Sequence, residues 1–307
     1  MCRHLVYLGP AVPLAALLFD PPHGLVRQSW APRDMRGGGT VNADGFGVAW
    51  YAPVPVGGIA VASGAPVLAG GIGVVSGAPV LAGGIGVVSG APVPVGGIGA
   101  AWDASVPADD HNREPVRYRR ATPIWADAAL PALAASTRSG AVLAAVRSAT
   151  VGMPVVETAA APFGEGRWLF SHNGAVPGWP DSMVPLAAAL PTRDLLTLDA
   201  PSDAALLWAL VRHRLREGTP PDRAIAETVD AVAALVPGAR LNLLLTDGRT
   251  AVASTAGHAL SVRAGGGSVL ICSEPLDDDP AWAGVPDNHL VVATTDDVQL
   301  RRIGELV

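Results

Sequence analysis

Segments typical of β-strands lie towards both ends of the 307-residue chain, and most segments typical of helices lie between them. The first strand begins at residue 3, so a sheet that buries it must pair it with segments far away in the sequence. This order predicts a layered α+β architecture rather than alternating βαβ units. The expected strands are 3–8, about 46–51, 116–121, 141–147, 167–171, a hairpin over 241–253 that turns at Asp247-Gly248, 269–272 and 289–294, and the expected helices are 13–19, 126–138, 202–217 and 222–236.

A glycine- and proline-rich segment with a repeat of 13 residues interrupts this pattern, since Ser63-Gly64-Ala65-Pro66 recurs from Ser76 and from Ser89. A short β-solenoid is one interpretation, because apolar residues alternate with turn residues at a fixed period. The many Gly and Pro residues argue against a membrane segment. A low-complexity insertion in a surface loop fits best, because long loops cost little closure entropy. The sequence therefore predicts one domain, 2–307, with an insertion at about 52–113 that has no catalytic role.

Charge and cysteine content limit which classes of partner and which cellular compartment are expected. The 27 acidic and 21 basic residues give a net charge of −6, and no lysine occurs, so nucleic acid is not expected as a partner. No run of 18 apolar residues and no leader-like N-terminus are present, which predicts a cytoplasmic protein without membrane contact. Cys2 and Cys272 are expected to stay reduced, with Cys272 a buried structural thiol.

Cys2 is the first candidate for chemistry, because removal of Met1 would make it the N-terminal residue. A thiol with a pKa of about 8.5 and an α-amine with a pKa of about 7.7–8.0 would then belong to one amino acid. Near neutral pH the amine can accept the thiol proton, so nucleophile and base are combined. A cysteine at position 2 can equally be incidental, and the interpretation therefore depends on the residues that accompany it.

Three further groups match the needs of a γ-glutamyl amide, although each also has a plain structural explanation. Arg147 follows an apolar segment and could bind an α-carboxylate, or it could simply reach solvent. Asn173 and Gly174 could form an oxyanion hole, or an ordinary Asn-Gly turn. Asp203 could bind an α-ammonium, or it could belong to a helix start capped by Ser202.

The motifs that contain these residues occur in an order that resembles the class II glutamine amidotransferases. They are Cys2, Asp44-Gly45-Phe46-Gly47, Arg147-Ser148-Ala149-Thr150, His172-Asn173-Gly174 and Ser202-Asp203. The segments 1–5, 30–39, 146–150 and 171–179 and the motif Ser273-Glu274-Pro275 resemble more closely the stand-alone branch that hydrolyses γ-glutamyl-hercynylcysteine S-oxide in ergothioneine biosynthesis. Only the insertion falls outside the resemblance.

The resemblance implies an N-terminal-nucleophile hydrolase with an αββα four-layer sandwich, which cleaves the γ-glutamyl amide through a Cys2 thioester. It implies no cofactor and no metal. Two departures from the family are the Arg3-His4 pair after the nucleophile and the lack of a following synthase domain, and the second favours simple hydrolysis. The implied catalytic residues are Cys2, Asn173 and Gly174, and the implied substrate-binding residues are Arg147, Thr150, His172, Asp203 and Gly45.

Two other functions stay open at this point: a glutaminase subunit that delivers ammonia to a separate synthase, and an inactive binding module of the same fold. The expected partner is a small-molecule γ-glutamyl substrate, and a homo-oligomer is compatible with the sequence. His4 and His172 could each touch the substrate or the tetrahedral intermediate, or lie behind the site. The run 277–279 lacks the spacing of a calcium loop. Four tryptophans are conjectural contacts for a trimethylammonium group, namely Trp30, Trp50, Trp179 and Trp282.

Overall fold

The computed structural model of the protein describes residues 2–34, 41–52 and 114–305. The glycine-rich loop at 36–39 and all of the expected insertion except Ala52 lie outside the described residues, so the predictions for them stay predictions. The strands are β1 (Arg3–Pro13), β2 (Phe46–Trp50), β3 (Val116–Arg120), β4 (Arg138–Val146), β5 (Phe163–Glu165), β6 (Trp168–Ala175), β7 (Arg240–Thr246), β8 (Ala251–Thr255), β9 (Ser261–Gly265), β10 (Ser268–Cys272), β11 (Ala283–Gly284), β12 (His289–Ala293) and β13 (Val298–Arg302). The α-helices are α1 (Ala15–Leu18), α2 (Leu25–Gln28), α3 (Leu130–Ser136), α4 (Val184–Ala188), α5 (Thr192–Leu196), α6 (Asp203–Arg216) and α7 (Pro221–Leu235), and short 3-10 helices cover Ile124–Ala126, Glu157–Ala159 and Asp181–Met183.

Seven strands form one sheet, called sheet A, in the order β11-β9-β10-β1-β4-β2-β3. The central strand β1 pairs antiparallel with two neighbours, so that Leu5 lies opposite Cys272 of β10 and opposite Ala144 of β4. The prediction that the N-terminal strand pairs with distant segments is confirmed. The strand runs to Pro13, beyond its predicted end at residue 8, because its pairing with β4 resumes after an irregularity.

Six strands form the second sheet, called sheet B, in the order β13-β12-β8-β7-β6-β5. The predicted hairpin is confirmed, since β7 and β8 pair with Thr246 opposite Ala251. In its turn the Oδ1 atom of Asp247 accepts hydrogen bonds from the backbone N–H groups of Arg249 and Thr250. This turn chemistry explains why the hairpin was readable from the sequence.

Strand β6 corrects one expectation. The predicted strand ended at residue 171, but β6 continues to Ala175, with Asn173 opposite Asn242 and Gly174 opposite Leu241. Asn173 and Gly174 are therefore ladder residues and form no Asn-Gly turn. Pairing with β7 outweighs the local turn preference of the dipeptide.

Helices cover the outer face of each sheet. Helices α1, α2 and α3 pack on sheet A, and α6 and α7 pack on sheet B. A third apolar cluster lies between the sheets and includes Val6 and Leu8 of β1 and Leu169 of β6. These layers confirm the predicted αββα four-layer sandwich.

Two helix starts test the sequence analysis. The start of α6 is confirmed, because the Oγ atom of Ser202 accepts a hydrogen bond of 3.3 Å from the backbone N–H of Ala205. The predicted helix over 126–138 is wrong at its beginning, because α3 covers only Leu130–Ser136. Pro131 lies in the first turn of α3 and does not interrupt the helix, since an N–H group is not needed there. In the part of the chain that the structure describes, no helix is long and apolar enough to cross a bilayer.

Two histidines are buried near the contact between the sheets. The Nδ1 atom of His4 lies 3.2 Å from the Oγ atom of Ser171, which is on β6. The Nε2 atoms of His4 and His258 have no hydrogen-bond partner among the described residues. Burial lowers the pKa of His4 to about 3 and that of His258 to about 4, and nearby basic groups, Arg3 among them, add to the effect.

The stability of the protein should therefore fall in mild acid. Both histidines stay neutral in the fold, whereas in the unfolded chain they take up protons below a pH of about 6.5. The free energy of unfolding should be insensitive to them above that pH. It should then decrease by up to about 1.4 kcal/mol per pH unit for each histidine as the pH falls towards 4. Urea denaturation at a series of pH values measures the slope.

The variant His258→Gln removes one of the two groups and should make this slope shallower between about pH 6 and about pH 5. Above about pH 7, where both histidines are neutral in the folded and the unfolded chain, the stability of the variant and that of the parent should depend on pH in the same way. An unchanged slope in the acid range would contradict the assignment of the acid sensitivity to His258.

Candidate active site

One cavity gathers residues from sheet A, sheet B and the start of α6. It opens where β1 begins and β4 ends. Met153, Phe163 and Ser202 contribute to its wall. Six of the residues predicted for the site also line it, namely Cys2, Arg147, Thr150, His172, Gly174 and Asp203.

Cys2 lies immediately before β1, with its Sγ atom 3.8 Å from the carbonyl oxygen of Ser148. The next residue, Arg3, pairs with Val146 in the β1–β4 ladder. The buried guanidinium of Arg3 donates to the carbonyl oxygens of Cys2 and Asp34. The half-buried thiol is thus held by a strand on one side and by a hydrogen-bonded loop on the other.

Alternation along two strands turns Cys2 and Asn173 towards the same space. Val6 belongs to the core between the sheets, so the same face of the extended chain carries His4 and Cys2. Leu169 belongs to that core as well, so Asn173 faces sheet A from β6. Asn173 is fully buried and is not among the residues that line the cavity.

Arg147 directly follows β4 and is held by four hydrogen bonds to the backbone, one of which runs from Asp44 N–H to its carbonyl oxygen at 3.0 Å. Its N–H donates to the carbonyl oxygen of Gly45 at 2.8 Å, and its Nη1 atom donates to the carbonyl oxygen of Pro154 at 2.8 Å and to that of Asp44 at 3.5 Å. No carboxylate of the described residues lies within ion-pair distance of its guanidinium. Among the described residues the positive charge therefore has backbone partners and no countercharge.

Asp203 forms the first turn of α6 and is largely buried. Its Oδ2 atom accepts a hydrogen bond from the N–H of Val176 at 3.1 Å, and its Oδ1 atom accepts one from the N–H of Ala204 at 2.8 Å. Within the described ranges no Arg or His side chain forms an ion pair with it. The cavity therefore presents a carboxylate and a guanidinium that form no ion pair with each other. Each can bind a group of opposite charge.

His172 and Gly174 line the cavity from the other face of β6. The Nε2 atom of His172 lies 2.9 Å from the carbonyl oxygen of Arg240. A Cβ atom at position 174 would lie 1.8 Å from that same oxygen and 2.5 Å from His172 Nε2. Only glycine fits at this position, because both neighbours are closer than any side chain tolerates.

The other two predicted substrate-binding residues differ in placement. Thr150 is exposed at the cavity mouth, where its carbonyl oxygen accepts a hydrogen bond from Met153 N–H. Gly45 does not line the cavity. Its carbonyl oxygen accepts the hydrogen bond from Arg147 N–H. Its φ of 128° suits glycine, and a Cβ atom there would lie 2.9 Å from the carbonyl oxygen of Arg120.

The tryptophans considered for the substrate lie elsewhere among the described residues. Trp30 meets Trp125 edge to face with ring centroids 5.6 Å apart, and Trp282 donates its indole N–H to Asp277 at 2.7 Å. Trp50 and Trp179 pack against the apolar cores.

Other candidates have structural roles. Cys272 is fully buried, as predicted, and burial raises the pKa of its thiol well above the usual value. Asp277 is bound by Arg263 at 2.9 Å. Among the described residues no group of three His, Cys, Asp or Glu side chains could hold a metal ion.

Ser273 also lies next to the site, although the sequence indicates it only as part of the motif Ser273-Glu274-Pro275. It follows β10, and its Oγ atom accepts a hydrogen bond of 3.3 Å from the Nδ2 atom of Asn173. Phe163, on the three-residue strand β5, carried no recognisable signal, because so short a segment shows no periodicity.

Curated relatives of the chain share one name. The chain is 34% identical over 291 residues to a gamma-glutamyl-hercynylcysteine sulfoxide hydrolase of Mycolicibacterium smegmatis, which covers 95% of each protein. It is 34% identical over 301 residues to the protein of that name from Mycobacterium tuberculosis strain CDC 1551, which covers 98% of the chain and 96% of the relative. No family model matches the sequence.

Solved structures with the same fold are more distant in sequence. A glutamine aminotransferase class-II domain protein of Silicibacter pomeroyi is 19% identical, with a TM-score of 0.58 over 99% of this chain and 100% of that one. Glutamine phosphoribosylpyrophosphate amidotransferase of B. subtilis is 9% identical, with a TM-score of 0.57 over 99% of this chain and 49% of that one. These likenesses identify the N-terminal-nucleophile hydrolase fold. On the strength of the curated relatives, the chain is an amidohydrolase that belongs to the gamma-glutamyl-hercynylcysteine sulfoxide hydrolase family.

Proposed function

We propose that this protein hydrolyses the γ-glutamyl amide of γ-glutamyl-hercynylcysteine sulfoxide to glutamate and hercynylcysteine sulfoxide. One observation carries the proposal: Arg147 and Asp203, which have no ion-pair partners among the described residues, line the same cavity as Cys2. Buried or half-buried charges are costly unless a partner compensates them. The α-carboxylate and α-ammonium of a γ-glutamyl group would be those partners.

The reaction begins once Met1 has been removed. The α-amine of Cys2 accepts the thiol proton, and Sγ attacks the γ-carbonyl carbon. The carbonyl oxygen becomes an oxyanion, for which the side-chain amide of Asn173 and the N–H of Gly174 are the proposed donors. When the C–N bond breaks, the ammonium of Cys2 returns the proton to the leaving amine, and a γ-glutamyl thioester remains.

Hydrolysis of the thioester completes the cycle. The free amine of Cys2 takes a proton from water, and the hydroxide oxygen attacks the thioester carbon. The C–S bond then breaks, glutamate leaves, and the proton returns to the thiolate. The chain needs no cofactor for any of these steps, since the nucleophile, the base and the proposed oxyanion donors are its own groups.

The leaving half of the substrate is proposed from the names of the curated relatives, which match 95% and 98% of this chain. A glutaminase would instead turn over glutamine faster than the γ-glutamyl sulfoxide, so a direct comparison of the two substrates separates these functions. We also propose a cytoplasmic location, which the free thiols of Cys2 and Cys272 support.

The nucleophile can be tested by mass spectrometry of the intact protein. The mass should show loss of Met1, and the glutamine analogue 6-diazo-5-oxo-norleucine should add once, at Cys2, because only this thiol faces the cavity. Cys2→Ala should abolish both the adduct and amide hydrolysis. Cys272→Ala is the matched control and should keep both. A retained Met1 in active protein, or an adduct on Cys272, would contradict the mechanism.

The ammonium site can be tested with a pair of substrates. Asp203→Asn should lower kcat/KM for a γ-glutamyl amide by roughly 30-fold or more, because loss of one partner of a buried charge pair costs about 2–5 kcal/mol. The same change should hardly affect the matching glutaryl amide, which has no α-ammonium.

The control for this substitution is Asp222→Asn, which removes a carboxylate from the first turn of the other long helix. Asp222 pairs with Arg301 at 3.0 Å, away from the cavity. The variant Asp222→Asn should leave kcat/KM unchanged for both substrates. If Asp203→Asn slowed the glutaryl amide as much as the glutamyl amide, the loss would lie in the fold and Asp203 would not be the ammonium partner.

A further inference from the structure

Ser273 connects the strand of the nucleophile to the strand of the proposed oxyanion residue. Its backbone N–H donates to the carbonyl oxygen of His4 at 3.0 Å, and its Oγ atom accepts from the N–H of His4 at 3.0 Å. The same Oγ atom lies 3.3 Å from the Nδ2 atom of Asn173. His4 is two residues from Cys2 on sheet A, whereas Asn173 belongs to sheet B, so one buried hydroxyl bridges the two sheets.

The side-chain amide of Asn173 has few other constraints. Its Oδ1 atom has no hydrogen-bond partner among the described residues, and rotation about the last side-chain bond of asparagine is soft. Ser273 is therefore the group that the structure offers for setting the plane of this amide. Within the described part of the chain, no other side chain bonds to it.

We propose that Ser273 is a positioning residue, which orients the amide of Asn173 towards the oxygen that becomes negative during attack by Cys2. With the amide as it stands, one Nδ2 hydrogen binds Ser273 and the second is free to donate to the oxyanion. With the amide oxygen and nitrogen exchanged, the Ser273 hydroxyl turns its one hydrogen from the His4 carbonyl oxygen, 3.3 Å away, to Oδ1, and both Nδ2 hydrogens are free. In both orientations the serine hydroxyl fixes the amide plane.

This inference rests on the proposed function of Cys2 and Asn173. Removal of an oxyanion donor lowers kcat by about 100- to 1,000-fold, and a donor that is present but not held in place should lose part of that. Ser273→Ala should therefore lower kcat by roughly 10- to 100-fold for a γ-glutamyl amide. KM should change little, because Ser273 does not line the cavity that binds the glutamyl group.

The decisive measurement is a double-mutant cycle. If Ser273 acts through the amide, Ser273→Ala should slow the parent enzyme but cause no further loss in the Asn173→Ala background. A γ-glutamyl aldehyde, which forms a tetrahedral adduct with the thiol, should bind Ser273→Ala more weakly by the same factor as the loss in kcat. Glutamate, which has no such adduct, should bind both proteins equally.

Ser254→Ala is the matched control. Ser254 is also buried, and its Oγ atom makes hydrogen bonds to the backbone within sheet B, because it accepts from Leu243 N–H at 2.9 Å and donates to the Leu241 carbonyl at 2.7 Å. Its loss should lower the unfolding temperature and leave kcat unchanged. If Ser273→Ala does not fold, the isosteric pair Ser273→Thr and Ser273→Val carries the same comparison, and only the hydroxyl-bearing variant should keep kcat.

Three outcomes would overturn the inference: equal losses in the parent and Asn173→Ala backgrounds, a loss confined to KM, or equal kcat for Ser273→Thr and Ser273→Val. Failure of the proposed function has a different signature. In that case Cys2 would take no 6-diazo-5-oxo-norleucine adduct, or Cys2→Ala would remain active. If Cys2 is labelled but the losses in kcat from Ser273→Ala and Asn173→Ala are additive, only the role of Ser273 is rejected.

Discussion

The antiparallel pairing of β1 with β4 and β10 is the constraint on which the rest of the structure depends. This pairing buries residues 3–8, so Cys2 is held at the beginning of the central strand of sheet A although it lies close to the start of the chain. The same ladder ends β4 at Val146 and so delivers Arg147 to the cavity. A nucleophile on a terminal residue needs such support, because chain ends are otherwise poorly ordered.

The cavity keeps two opposite charges apart and leaves each without a countercharge among the described residues. Arg147 is bound by backbone carbonyl oxygens, and Asp203 is bound by backbone N–H groups. These partners reduce the cost of desolvation without neutralising the net charge, so a zwitterionic head group can gain from both. Under the proposed function, the site is therefore preorganised for the end of the substrate that does not react, and binding of that end would place the γ-carbonyl near Cys2.

Polar contacts between the two sheets fix the positions of their side chains more specifically than apolar packing does. The contacts of His4 with Ser171 and of Ser273 with Asn173 join sheet A to β6 of sheet B across the inner layer. The hydrophobic effect is non-directional, whereas a buried hydrogen bond has a preferred distance and direction. The acid sensitivity expected of His4 and His258 follows from the same burial, since burial disfavours the charged form of each imidazole.

The sequence by itself determined the strongly local features. The hairpin at Asp247-Gly248 and the N-cap at Ser202 follow from turn and capping chemistry within a few residues, and the order of the short motifs indicated the family. The tertiary structure decided what depends on distant pairing. In the structure β6 continues through Asn173 and Gly174, and the carbonyl oxygen of Gly45 binds Arg147 N–H. Hydrogen bonds between strands far apart in the chain override local turn preferences and bring together residues whose spacing in the sequence shows no relation.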